Sequence, residues 1–99
     1  MNWRDMPPLA ALRAFHAFVE EGNVTAAGDA LGVSHAAISQ QLRGLEAHLG
    51  VTLFDRSGRA MRLTPDGEIL AQGSSDGFGT IARAVALITG AEAARPLHI

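Results

Sequence analysis

The sequence predicts a mainly α-helical chain: three short helices, a small two-stranded β-hairpin and one long final helix. Three observations carry this reading. Apolar residues recur at three- and four-residue spacing in four separate stretches. Glycines and capping residues punctuate those stretches, and the helical period breaks around Ser57-Gly58, where short apolar pieces flank a turn. At 99 residues with 47% apolar side chains, the chain can close one small core and is too apolar for intrinsic disorder. With no Cys it has no disulfide framework, no thiolate metal site and no cysteine nucleophile.

The first helix follows Pro7 and Pro8, which suit a first helical turn where an amide N–H would have no partner. Leu9, Leu12, Phe15, Phe18 and Val19 form its apolar stripe, and Gly22 stops it. Asn23 is the N-cap expected for the second helix, with Val24, Ala27 and Leu31 facing inward and Gly32 as its stop. Ser34 caps the third, whose inner stripe is Ile38, Leu42, Leu45 and Leu49, ended by Gly50. Val51-Thr52-Leu53-Phe54 and Met61-Arg62-Leu63 then read as the two strands of a hairpin. Thr64-Pro65-Asp66 opens the long helix with a capping hydroxyl, a proline at the first position and a carboxylate at the positive helix end.

Gly28, Gly32 and Ile38, separated by four and six residues, fit a helix-turn-helix. A residue without a side chain at 28 lets the next helix approach, Gly32 takes the chain through the turn, and Ile38 plugs the angle between the helices. A generic helical hairpin is the alternative on these three residues alone. With the inner stripe buried, the third helix presents His35, Ala36, Ser39, Gln40 and Arg43 outward, and its first acid is Glu46. Short side chains, amides, hydroxyls and an Arg are what a helix in the major groove of DNA needs.

The charge distribution agrees. All the basic residues are Arg, and the formal net charge is −2, which at first sight argues against an acidic partner. Residues 34–64 nevertheless carry Arg43, Arg56, Arg59 and Arg62 against Glu46 and Asp55, a net +2, and the remainder carries −4. Three Arg in the hairpin repel one another in water but can meet phosphates or the minor groove beside a duplex.

Residues 8 to about 90 resemble the N-terminal winged helix-turn-helix and linker helix of LysR-type transcriptional regulators. The matching words include Ala-Leu-Arg-Ala-Phe (11–15), Ala-Ala-Gly-Asp-Ala-Leu-Gly-Val-Ser (26–34) and Ala-Ala-Ile-Ser-Gln-Gln-Leu (36–42). They continue with Leu-Gly-Val-Thr-Leu-Phe-Asp-Arg (49–56) and Arg-Leu-Thr-Pro-Asp-Gly (62–67). The resemblance implies a dimeric regulator of transcription that binds double-stranded DNA, without enzymatic activity or cofactor. It places the recognition helix, 34–49, in the major groove and the wing, 53–64, at the minor groove and backbone. It puts His35, Ala36, Ser39 and Gln40 at the bases, Thr25 and Arg43 near phosphates, and Arg59 at the wing tip; Ser34, Arg56 and Arg62 complete the expected DNA-binding residues. The chain departs from the family where it has Ala26, Gly28, His35-Ala36 and Gln40, in place of a basic residue, Ala, Gln-Pro and Arg. The difference at Ala26 implies one phosphate contact fewer; those at His35-Ala36 and Gln40 leave the docking mode intact and alter the sequence that would be read.

The expected organisation is a DNA-binding unit at 1–64, a linker or dimerisation helix at 65–91, and at 92–99 the start of a ligand-sensing domain carried by a longer protein. Ala71, Ser74, Phe78, Ile81, Val85 and Ile88 recur by three and four, as a coiled-coil-like seam would, and Phe78, Ile81, Val85 and Ile88 are the expected dimer contacts. Gly73, Gly77 and Gly79 weaken that helix unless a second copy, or its own domain, supports it. The family resemblance adds a tetramer for the full-length protein and a small-molecule inducer acting only through the further domain. With no signal peptide or membrane span in the sequence, a cytoplasmic, nucleoid-associated protein is expected. Two other readings compete: a protein-interaction or dimerisation module that ignores DNA, and a winged helix like that of molybdate-responsive regulators. Catalysis finds no support, because His16, His35, His48 and His98 lack metal-ligand spacing and no nucleophile motif occurs.

Overall fold

The computed structural model describes residues 1–58 and 61–90. Its elements run α1 (Leu9–Glu21), α2 (Val24–Leu31), α3 (His35–Leu49), β1 (Phe54–Asp55), β2 (Arg62–Leu63) and α4 (Pro65–Thr89). Three helices start on side-chain caps. Asn23 Oδ1 accepts from the Ala26 amide at 2.7 Å, Ser34 Oγ from Ala37 at 3.1 Å and Thr64 Oγ1 from Gly67 at 3.0 Å. Each satisfies one of the amides that a helix start leaves without a partner. The helix ends at Gly22 and Gly32 need glycine, because their φ values of 86° and 70° are left-handed. Pro7 and Pro8 fall just outside the first turn they were expected to occupy. Pro8 is the N-cap residue of α1, its ψ of 140° too extended for a helix, and its carbonyl accepts the amides of Ala11 and Leu12.

Phe15, Ile38, Leu45 and Leu53 are the largest fully buried side chains, so α1, α3 and the base of the hairpin share one core. Phe54 closes it from the wing, with its ring 5.7 Å from that of Phe15 and 5.1 Å from that of Phe18. The inner stripe of α1 differs from the expected one. Leu9 is exposed, and Ala11, Ala14 and Ala17 are buried beside Phe15 and Phe18. Small side chains let α2 and α3 come close to α1, a demand that outranks apolar bulk.

The hairpin is shorter than the sequence suggested. It pairs Phe54 with Leu63 and Asp55 with Arg62, antiparallel. Val51–Leu53 precedes β1, and Thr64, the residue after β2, bonds to it. The Leu53 carbonyl accepts the Thr64 amide at 2.9 Å, and the Thr52 carbonyl accepts the Thr64 hydroxyl at 2.7 Å. Thr64 therefore ties the hairpin base to the first turn of α4 as well as capping it.

α4 is 25 residues long, about 38 Å at the usual helical rise. Its first half is docked: Gly67 and Ser74 are buried, Leu70 and Ala71 pack against the core, and the Phe78 ring lies 5.2 Å from that of His16 on α1. A Cβ at Gly67 would overlap the Leu53 carbonyl oxygen, so this glycine is the seat on which α4 meets the hairpin base. Beyond Phe78 the apolar side chains stand in the open, with Ile81 at 58%, Val85 at 52% and Ile88 at 84% exposed. The periodic seam thus divides, its first three members turned to their own domain and its last three to solvent. The expected start of a further domain at 92–99 lies outside the described residues.

Candidate nucleic-acid interface

The surface of interest starts at the turn between α2 and α3. A Cβ on Gly28 would stand 2.8 Å from the Val33 carbonyl oxygen and 3.1 Å from His35 Cδ2, so the absence of a side chain lets the turn close. The Val33 amide donates to the Gly28 carbonyl at 3.0 Å across the same gap. Ile38, 1% exposed, fills the angle between the two helices. Together these contacts fix the N-terminal turn of α3 as a projecting edge.

On that edge His35, Ala36, Gln40 and Arg43 are exposed, Ser39 is half-buried, and Thr25 is exposed on the neighbouring α2. Ser34 is exposed too, but its hydroxyl oxygen already caps the helix. Sequence reasoning missed Asp29. Its carboxylate lies 3.9 Å from His35 Nε2 and places one acid beside a face that carries none of its own before Glu46. Its place in the second helix, just ahead of the turn, is the signal that would find it, because the turn folds the two helices onto each other.

The wing arginines have different partners. The Arg56 guanidinium lies 3.3 Å from Glu46 Oε1 and 5.6 Å above the Phe54 ring. Glu46, its side chain only 13% exposed, also accepts the Leu53 amide through Oε2 at 2.8 Å. A single carboxylate from α3 therefore holds the hairpin base through its backbone and through Arg56. This role of Glu46 was not foreseen, because no spacing rule links a helix residue to a wing residue ten positions later. Arg62 faces Asp55 across the ladder, but the Asp55 carboxylate is engaged by the Ser57 hydroxyl at 2.7 Å and its amide at 2.9 Å. Those bonds, the hydroxyl's first, hold the Asp55 carboxyl below its ordinary range. Among the described residues neither Arg43 nor Arg62 makes an ion pair. Arg59, the expected wing tip, lies outside the described residues.

Exposed Arg43 and Arg62 with the polar edge of α3 provide donors for phosphate oxygens and for base edges. Among the described residues no cluster of acids and histidines could hold a metal ion, and no helix is long and apolar enough to cross a membrane.

A family model described as the bacterial regulatory helix-turn-helix protein of the lysR family matches residues 9–68, from α1 into the first turns of α4. The chain belongs to the LysR family. Over 88 residues it is 50% identical to the AhcY transcriptional activator HvrB of Rhodobacter capsulatus, covering 89% of this chain and 30% of that protein. It is 44% identical over 75 residues to the transcriptional regulator TrpI of Pseudomonas aeruginosa, covering 76% of this chain and 25% of that one. The chain thus spans less than a third of the length of these LysR-family relatives, which are transcriptional regulators and not enzymes.

The fold is that of LysR winged-helix DNA-binding domains. The DNA-binding domain of BenM, solved in complex with its catB site 1 DNA, superposes with a TM-score of 0.75 at 29% identity, covering 90% of this chain and all of that one. Full-length LysG of Corynebacterium glutamicum, solved with bound effector Arg, superposes with a TM-score of 0.72 at 31% identity, covering 92% of this chain and 31% of that one.

Proposed function

We propose that this chain is the DNA-binding part of a LysR-type transcriptional regulator that reads double-stranded DNA as a dimer. The observation that carries the reading is the projecting edge of α3, held by Gly28 and Ile38, which presents His35, Ala36, Ser39, Gln40 and Arg43 with no acid of its own helix among them. In this reading the edge enters the major groove, with Ser39 and Gln40 at base edges and Arg43 and Thr25 at phosphates. Arg62, with Arg59, serves the wing side. Arg56 contributes chiefly by holding the wing to Glu46. Residues 1–64 form the reading unit, and α4 carries the dimer contact through Ile81, Val85 and Ile88. A tetramer of the full-length protein, an inducer bound by a further domain and a place in the cytoplasm follow the same reading.

The deciding measurement is binding to duplex DNA as a function of salt. Affinity should fall steeply, with a logarithmic slope of roughly 0.9 per phosphate neutralised. Arg62→Ala should lower that slope by about one, and Arg56→Ala should weaken binding with the slope unchanged. Dimerisation without any DNA binding at low salt would replace this reading with that of an interaction module.

A further inference from the structure

The sequence pattern places Phe78 in a seam shared with a second copy, and within one chain its ring already packs against its own domain. Phe78 is half-buried, tilted 58° against the His16 ring at a centroid distance of 5.2 Å. His16 is itself fixed to α1 by a contact with Glu20, one turn further on. Over residues 80–85, just past Phe78, every side chain is exposed. The His16–Phe78 pair is therefore the outermost large side-chain contact holding α4 to the helices behind it.

The helix is weakest at this same place. Gly77 and Gly79 flank Phe78, with Gly73 one turn before, each costing an α-helix about 1 kcal/mol relative to Ala. Local helix bends arise at such sites unless a tertiary contact prevents them. From Phe78 to Thr89 the helix extends about 16 Å, so a 20° bend at Phe78 would carry its end about 5 Å sideways. That is more than the roughly 3.4 Å between successive base pairs.

We infer that His16 and Phe78 form a clamp that fixes the direction in which α4 leaves the reading unit, and thereby the half-site spacing that a dimer accepts. The spacing clause rests on the dimeric DNA-binding reading above; the clamp does not. In this role His16 and Phe78 are positioning residues, acting through the direction they give α4.

The chain has no native Cys, so spin labels on Ala47→Cys and Thr89→Cys report the direction of α4 directly, in samples diluted with unlabelled protein. A narrow distance distribution is expected for the parent. His16→Ala should broaden it with the far-ultraviolet circular dichroism unchanged, and Phe78→Leu should do the same. Adding Gly77→Ala and Gly79→Ala to His16→Ala should narrow it again, because neither new Cβ meets anything closer than an ordinary contact. An unchanged distribution in both single variants overturns the clamp. In parallel, selection from duplexes with half-sites at graded separations should show the parent accepting one spacing and His16→Ala accepting neighbouring ones. Identical profiles, with DNA bound by both proteins, overturn the spacing clause. If the distances respond as expected and no duplex is bound, the clamp stands and the DNA-binding reading falls.

Discussion

The bundle of α1–α3 and the outer half of α4 are both helical, yet different forces hold them. In the bundle, Phe15, Ile38, Leu42 and Leu45 are buried on several sides at once, and Asn23, Ser34 and three left-handed glycines settle the helix ends. Apolar burial at about 25 cal/mol per Å² makes that packing the main stabilising term. The outer half of α4 has a good N-cap far away at Thr64, glycines in its path and its apolar residues in water. A helix of this kind is marginal alone in water. The contrast separates a part whose apolar face is closed within one chain from a part whose apolar face one chain leaves open.

Perturbing the two regions should give effects of opposite sign and falling size. Phe15→Ala removes the ring at the centre of the bundle and should cost about 3–5 kcal/mol. Thermal denaturation would detect it as loss of most of the helical signal at a much lower temperature, and a shift confined to α4 would contradict the comparison. Gly67→Ala acts where the regions join. Its Cβ would push the Leu53 carbonyl, which also accepts the Thr64 amide, and overpacking of this kind costs about 1–3 kcal/mol. A higher urea midpoint for this variant would show that the seat is looser than the geometry requires.

Gly77→Ala should do the reverse. Its Cβ would meet nothing, so the helix should gain about 1 kcal/mol, read as slower amide exchange across residues 74–85. If the dimer instead dissociates more readily, Gly77 is a point of close approach between two copies. The smallest effect belongs to the wing. Ser57 holds the Asp55 carboxyl below its ordinary value of 3.8, so the contribution is complete above that value and is lost as pH falls through the depressed one. The Ser57 amide resonance should follow that titration with a midpoint under 3.8, and a midpoint above it would mean the turn is not formed in solution.

What could be foreseen from the sequence follows the range of each interaction. Asn23, Ser34, Thr64 and the terminal glycines act on residues three or four positions away, and each was found where the local pattern put it. The inner face of α1 was misjudged at Leu9 because hydropathy ranks Leu above Ala, whereas close helices want Ala11 and Ala14 between them. Phe78 is a different case. A three-and-four period identifies an apolar face but cannot tell whether the helix's own domain or a second copy covers it. Glu46 and the seat at Gly67 depend on contacts between separate elements, which no spacing along the chain encodes.

The junctions among the first three helices carry one more consequence. Gly22 ends α1 and Asn23 at once begins α2, while Gly32, Val33 and Ser34 are all that separate α2 from α3. Every residue in these junctions is a cap, a left-handed turn or the partner of Gly28, so none is spare. An inserted or deleted residue would displace a cap or the Val33 contact that closes the turn on Gly28, and would shift the first turn of α3 that carries its polar edge. New targets can therefore be acquired only by exchanging side chains along that edge, and length variation among descendants of this chain must fall elsewhere.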